Sequence, residues 1–181
     1  MQLINISAAE MILYRLQALG VEFIFINSGT DYPPMVEAYS RLKSEGCLVP
    51  EFVVCPHENA AIGMAHGYYL ATGKVQAVMV HTNVGLANAA CGIINLANSN
   101  IPVIIFGGRT PISEHSHFGC RNTPIGYGQE MRDQAALVRE SVKWDFELRY
   151  ADQAGEHVDR AWAIANSLPK GPVYLSWPRE P

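Results

Sequence analysis

The sequence predicts an α/β fold, a doubly wound and mainly parallel sheet with helices on both faces, forming a three-layer sandwich. Three observations carry this. Short, continuously apolar runs of strand type ("VEFIFI", "EFVVC", "VQAVMV", "IPVIIF", "GPVYLSW") alternate with longer stretches of helical periodicity. Strands that are apolar along their whole length need cover on both faces, as in parallel sheets. Right-handed crossovers between such strands then wind helices onto both sides.

Each element has its own local signal. "SAAEMILYRLQALG" has apolar residues at helical spacing, with Ser7 as N-cap and Gly20 as the stop. "YPPMVEAYSRLKSEG" is a helix opened by prolines and closed at Gly46. "EFVVC" leads into the helix of "CPHENAAIGMAHGYYLATGK", and "VQAVMV" leads into "GLANAACGIINLANS". "MRDQAALVRESV" and "AGEHVDRAWAIANSL" are expected to be two further amphipathic helices. No internal repeat or second boundary interrupts the pattern, so residues 1–181 are expected to form a single domain.

Composition narrows the class. The chain is 49% hydrophobic and 17% charged with a net charge of -4, which leaves no basic footprint for nucleic acid. The four cysteines form no C-x-x-C pair, and with no secretory leader they fit reduced thiols in a cytoplasm. From Val75 to Gly108 there is no Asp, Glu, Lys or Arg. Asn83, Asn88, Asn95, Asn98, Asn100 and Pro102 break that run too often for a membrane span. It reads instead as buried strand, helix and strand. So much uncharged chain points to a large partner interface in a homo- or hetero-oligomer.

In a doubly wound fold, ligands gather beyond the carboxyl ends of the strands. Those ends are "NSGTDY", "CPHENA", "HTNVG" and the long segment Gly107 to Gly128. Nucleotide and hydrolase chemistry find no support in them, because G-x-G-x-x-G, G-x-x-x-x-G-K-[ST] and G-x-S-x-G are all missing. His115, His117 and Cys120 in "HSHFGC" lack a second cluster to complete a tetrahedral set, so no metal is expected on this chain. Cys55 and His57 are read as a buried thiol and a solvated ring. Glu58 is different. It opens a helix of small uncharged residues, and no other carboxylate follows until Glu114. One reading is a helix N-terminal acid, stabilising by ~0.3–1 kcal/mol. The other rests on Ala60, Ala61, Gly63, Ala65 and Gly67, which let another backbone approach. There the acid loses water and can share a proton with a nitrogen base.

"HENAAIGMAHGYYLATGKVQAVMV" followed by "GLANAACGIINLANSNIPVIIFGG" resembles the pyrimidine-binding domain of thiamine-diphosphate enzymes. The likeness is to the acetohydroxyacid synthase, benzaldehyde lyase and 2-keto-acid decarboxylase group, and it extends from the first helix to "GPVYLSWPRE". The resemblance implies that Glu58 hydrogen-bonds N1′ of the cofactor's aminopyrimidine, producing the tautomer whose 4′-nitrogen takes the thiazolium C2 proton. It implies cofactor contacts for Val84 and Asn88 in "HTNVGLAN", with Asn83 standing where those enzymes have glycine. Thr30 and Asp31 fall in "SGTDY", the loop that in the family lies over a neighbouring subunit's cofactor; Asp31 matches an acid of proton relay. His115 and His117 fall near a family His-His pair, and Gln129 matches a glutamine near the reacting carbon.

The family holds Mg²⁺ and the diphosphate on a separate domain, through a Gly-Asp-Gly motif and a distant Asn. No Gly-Asp-Gly occurs here. The resemblance therefore implies a partner: a further domain of a longer enzyme, or the second subunit of a split enzyme of sulfopyruvate decarboxylase type. The expected chemistry is decarboxylation of a 2-keto acid, or making and breaking a C–C bond next to a carbonyl, as in an acyloin. The rival expectation is a non-catalytic assembly or regulatory module on the same fold.

Overall fold

The first helix, α1 (Ala8–Ala18), starts with a complete capping box: Ser7 Oγ accepts from Glu10 N at 3.2 Å, and Ser7 N donates to Glu10 Oε2 at 2.9 Å. Gly20, at φ +84°, ends it in the left-handed conformation that glycine adopts at no steric cost. Glu10 is buried and paired with Arg41 of α2 (Pro33–Ser44), which ties the two helices together. This computed structural model describes residues 6–120, 129 and 131–180.

The strands are β1 (Phe23–Asn27), β2 (Glu51–Val54), β3 (Gln76–Val80), β4 (Val103–Gly108), β5 (Asp145–Glu147) and β6 (Val173–Trp177). They form one sheet in the order β2-β1-β3-β4-β6-β5, with every adjacent pair parallel. Alternate side chains feed two cores. Ile24, Ile26, Ala77, Met79, Ile104 and Phe106 pack under α1, α2 and α5 (Ala154–Asn166). Phe25, Val78, Val80, Val103, Ile105 and Tyr174 pack under α3 (Glu58–Thr72) and α4 (Thr82–Asn98). The expected doubly wound sandwich is the observed one. The uncharged run is β3, α4 and β4, the two strands buried on both faces.

Three local expectations change. The "MRDQAALVRESV" segment is not a helix but two 3-10 turns, Gln134–Leu137 and Arg139–Ser141. Tertiary contacts override its helical periodicity. Gln134 is buried and donates through Nε2 to Gly108 O and Tyr174 Oη, both at 2.8 Å, while the Arg139 guanidinium grips Asp133 and Asp145. An unanticipated edge strand, β5, follows; its three residues, Asp145 to Glu147, are too short and too charged to show an apolar run. Finally, α4 begins at Thr82 rather than Gly85, so the "HTNVG" loop is helix from its second residue, with His81 as the N-cap. Thr82 there holds a positive φ of 42°.

Candidate functional site

The strand order reverses beside β1, so β1 and β3 flank the crevice where doubly wound folds bind ligands. At this end of the sheet, two buried carboxylates are tied to the first turns of α4.

Glu58 is the first residue of α3, after His57, whose Nδ1 accepts from Asn59 N at 3.1 Å. It is only 8% exposed. Its side chain lies in the seam with α4, where Asn88 Nδ2 donates to Oε2 at 3.1 Å. Gly85 makes the room: a Cβ there would stand 3.1 Å from Glu58 Oε1. Further along the seam, a Cβ on Gly92 would come within 2.6 Å of Asn59 Oδ1 and Ile62 Cγ2. Small residues of α4 thus bring the helices together, whereas Gly63 and Gly67 of α3, singled out from the sequence, face open space. A carboxylate offers about four acceptor positions, and among the described residues Asn88 is its one hydrogen-bond partner. A nitrogen-bearing ring edge therefore finds acceptor capacity at a dry carboxylate, and the residues present fit an aminopyrimidine. Glu58 is the sole Asp, Glu, Lys or Arg of α3 and α4. The outer face of these helices exposes Met64 (45%), Leu70 (68%), Val84 (50%) and Ile94 (47%).

Asp31 occupies the crevice itself, with its side chain 3% exposed. Its Oδ1 lies 2.6 Å from His81 Nδ1, and its Oδ2 accepts from Thr82 N at 3.3 Å. Burial pushes the Asp31 carboxyl up, opposed by the His81 hydrogen bond and charge. The fit requires bare backbone: a Cβ on Gly29 would overlap the His81 ring at 2.3 Å, and one on Gly108 would overlap Asp31 Oδ2. Gln129 Nε2 lies 3.1 Å from His81 Nε2. Next to this cluster Thr82, a β-branched residue, holds a positive φ, and its buried Oγ1 has no hydrogen-bond partner among the described residues. Such strain persists where surrounding structure over-determines it, commonly at functional sites.

The sequence-predicted residues thus divide. Glu58 and Asn88 are brought together, with Val84 exposed one turn earlier on α4. Asp31 and Gln129 meet through His81, which sequence reasoning passed over. The signal for His81 was available: it directly follows the "VQAVMV" strand, at a strand's carboxyl end. Thr30 is exposed beside Asp31. His115 and His117 are exposed on the segment after β4, flanking Ser116 at φ 70°. Among the described residues they make no hydrogen bond or ion pair with the other candidates. The rest of the long segment, residues 121–128, lies outside the described residues. Cys55 is buried and His57 exposed, as read from the sequence.

Fold, seam and crevice together define a doubly wound α/β domain with a candidate ligand site at the carboxyl end of its sheet. Residues 6–137 match the family described as thiamine pyrophosphate enzyme, N-terminal TPP binding domain, and the chain belongs to that family. It is 28% identical over 181 residues to an acetolactate synthase large subunit of Haemophilus influenzae, covering 97% of this chain and 28% of that protein. It is 27% identical over 162 residues to a benzoylformate decarboxylase of Pseudomonas aeruginosa, covering 88% of this chain and 27% of that one. A solved thiamine diphosphate-dependent 4-hydroxybenzoylformate decarboxylase of Rhodococcus jostii superposes with a TM-score of 0.78 at 26% identity, over 96% of this chain and 30% of its own. The chain therefore spans under a third of the length of these relatives. Among the described residues, no helix is long and apolar enough to cross a membrane.

Proposed function

We propose that residues 1–181 are the pyrimidine-binding unit of a thiamine-diphosphate enzyme that decarboxylates a 2-keto acid or makes and breaks a C–C bond beside a carbonyl. The single observation that carries this is Glu58: a buried carboxylate at the mouth of a charge-free seam, with one amide partner and acceptor capacity to spare. Glu58 would accept a hydrogen bond from the aminopyrimidine and share its proton, in a site dry enough for the sharing to be strong. Asn88 would hold the carboxylate in position, Gly85 would keep the approach open, and Val84 would press on the ring. Thr30 would lie over a neighbouring site. The cofactor, once bound, supplies the electron sink for carbanion chemistry.

The unit is incomplete alone. The sequence holds no Gly-Asp-Gly, so Mg²⁺ and the diphosphate would be held by another domain or subunit. The exposed apolar residues of α3 and α4 would be the surface that this partner, or a second copy, covers. The relatives' names, a synthase and two decarboxylases of 2-keto acids, support the substrate class. Co-expression with the chain carrying Gly-Asp-Gly, followed by assay with thiamine diphosphate and Mg²⁺, tests the reading. Turnover of a 2-keto acid by the pair and none by this chain alone is expected. Turnover by this chain alone would overturn the division of labour, and an inactive but stable complex would favour the assembly role.

A further inference from the structure

We propose that Asp31 is a positioning residue that locks His81 in its Nδ1–H tautomer, so that the ring presents an unprotonated Nε2, contacted by Gln129, as a proton acceptor at the crevice between β1 and β3. The acting role of that nitrogen rests on the function proposed above; the tautomer does not.

Three contacts carry the inference. An ionised carboxylate can only accept hydrogen bonds, so the 2.6 Å contact between Asp31 Oδ1 and His81 Nδ1 requires the proton on Nδ1. The Gln129 Nε2 amide, 3.1 Å from His81 Nε2, is a donor that asks for a lone pair on that nitrogen. The two hydrogen bonds agree on one neutral tautomer, and it is the opposite of the Nε2–H form that a free imidazole prefers. Asp31 cannot turn away, because its Oδ2 is fixed by the Thr82 N–H at 3.3 Å and its carboxylate is packed against Gly108. The ring cannot shift either, since it lies where a Cβ on Gly29 would be. The assembly draws on the loops after β1 and β3 and on Gln129 beyond β4, three separated pieces of chain.

Chemically, this is a base with a fixed partner. When a substrate-derived O–H or C–H gives up its proton, an N–H bond forms at Nε2 and the substrate keeps the electron pair. The resulting imidazolium is neutralised by Asp31, and the proton returns by the reverse path, so the cycle needs no other reactant.

The test begins with the free 181-residue chain, labelled with ¹⁵N at histidine. Long-range ¹H–¹⁵N correlation, at a pH where the rings are neutral, reads each tautomer; the set lost in His81→Gln identifies the ring. The expected pattern is a protonated Nδ1 and a bare Nε2. Asp31→Asn should reverse it: the Thr82 N–H keeps the new amide oxygen, leaving its NH₂ to donate to Nδ1 and forcing Nε2–H. In the assembled enzyme the same variant should lower kcat by about 10²-fold or more, with KM little changed. A wild-type ring in the Nε2–H form, or a pattern that Asp31→Asn leaves alone, overturns the proposal. A correct tautomer in an assembly with no 2-keto acid activity overturns the proposed function instead.

Discussion

The two faces of the sheet are built on different terms. The face carrying α1, α2 and α5 is finished with charge: Arg15 with Asp159, Arg41 with Glu10, and a capping box at its first helix. On the other face, helices α3 and α4 have Glu58 as their sole Asp, Glu, Lys or Arg, and they leave Met64, Leu70, Val84 and Ile94 exposed. On the first face, among the helices, Val36 of α2 is the large apolar side chain left exposed among the described residues. The second is packed tightly inward, through Gly85 and Gly92, yet has apolar side chains outward. That difference is what supports the α3–α4 side as the partner surface proposed above.

Glycine substitutions should separate the faces most. Gly92→Ala puts a Cβ 2.6 Å from Asn59 Oδ1 and Ile62 Cγ2, and overpacking of this kind costs about 1–3 kcal/mol. Gly155→Ala, on α5, meets only the flexible Met11 and Arg15 side chains at 3.2 Å or more, so helix propensity prevails at up to about 1 kcal/mol in its favour. Urea titrations of both variants measure this; equal shifts would erase the distinction between the faces.

A surface substitution sharpens it. Ile94→Asp should change the stability of the free chain by less than ~0.5 kcal/mol, since the side chain is half exposed. The same change should weaken the assembled enzyme, seen as a shift to smaller species in sedimentation. An assembly that tolerates it would place the partner elsewhere.

The charged face has one apolar weak point. His157 of α5 is buried, its ring lies 4.2 Å from that of Phe146, and neither ring nitrogen has a hydrogen-bond partner among the described residues. Ile12, Phe106, Leu148 and Trp177 surround it. Burial, and then the charge of Arg160, lower its pKa against a smaller opposing effect of Glu156. The unfolded chain therefore binds a proton that the folded one resists. Stability is complete above the ordinary histidine value of about 6.5 and falls as the pH drops below it. Thermal melts across pH 5–8 should show this slope, and His157→Phe should flatten it; a variant with the wild-type slope would assign the effect to other groups. The smallest effect belongs to Arg15→Ala. It removes a half-exposed pair with Asp159 and should cost no more than about 1 kcal/mol.

The sequence made the layers legible because periodicity and glycine stops are local signals: α1 ends at Gly20 and α2 at Gly46, as read. Glu58 was legible because a lone acid among small residues is visible without coordinates. Asp31 and Gln129 were named singly, but their meeting at His81 was not, because it depends on register between β1 and β3, which no local pattern encodes. The turns near Gln134 failed for the same reason, since the bonds that fix them reach Gly108 and Tyr174.

The central claim is that Glu58 is the acid that shares a proton with the cofactor's pyrimidine. Proton–deuterium exchange at the thiazolium C2 of thiamine diphosphate, in the assembled enzyme, tests it most directly. Glu58→Gln keeps the shape of the side chain and its contact with Asn88 but cannot share the proton, and exchange should slow by about 10²-fold or more. Exchange at the wild-type rate would contradict the account.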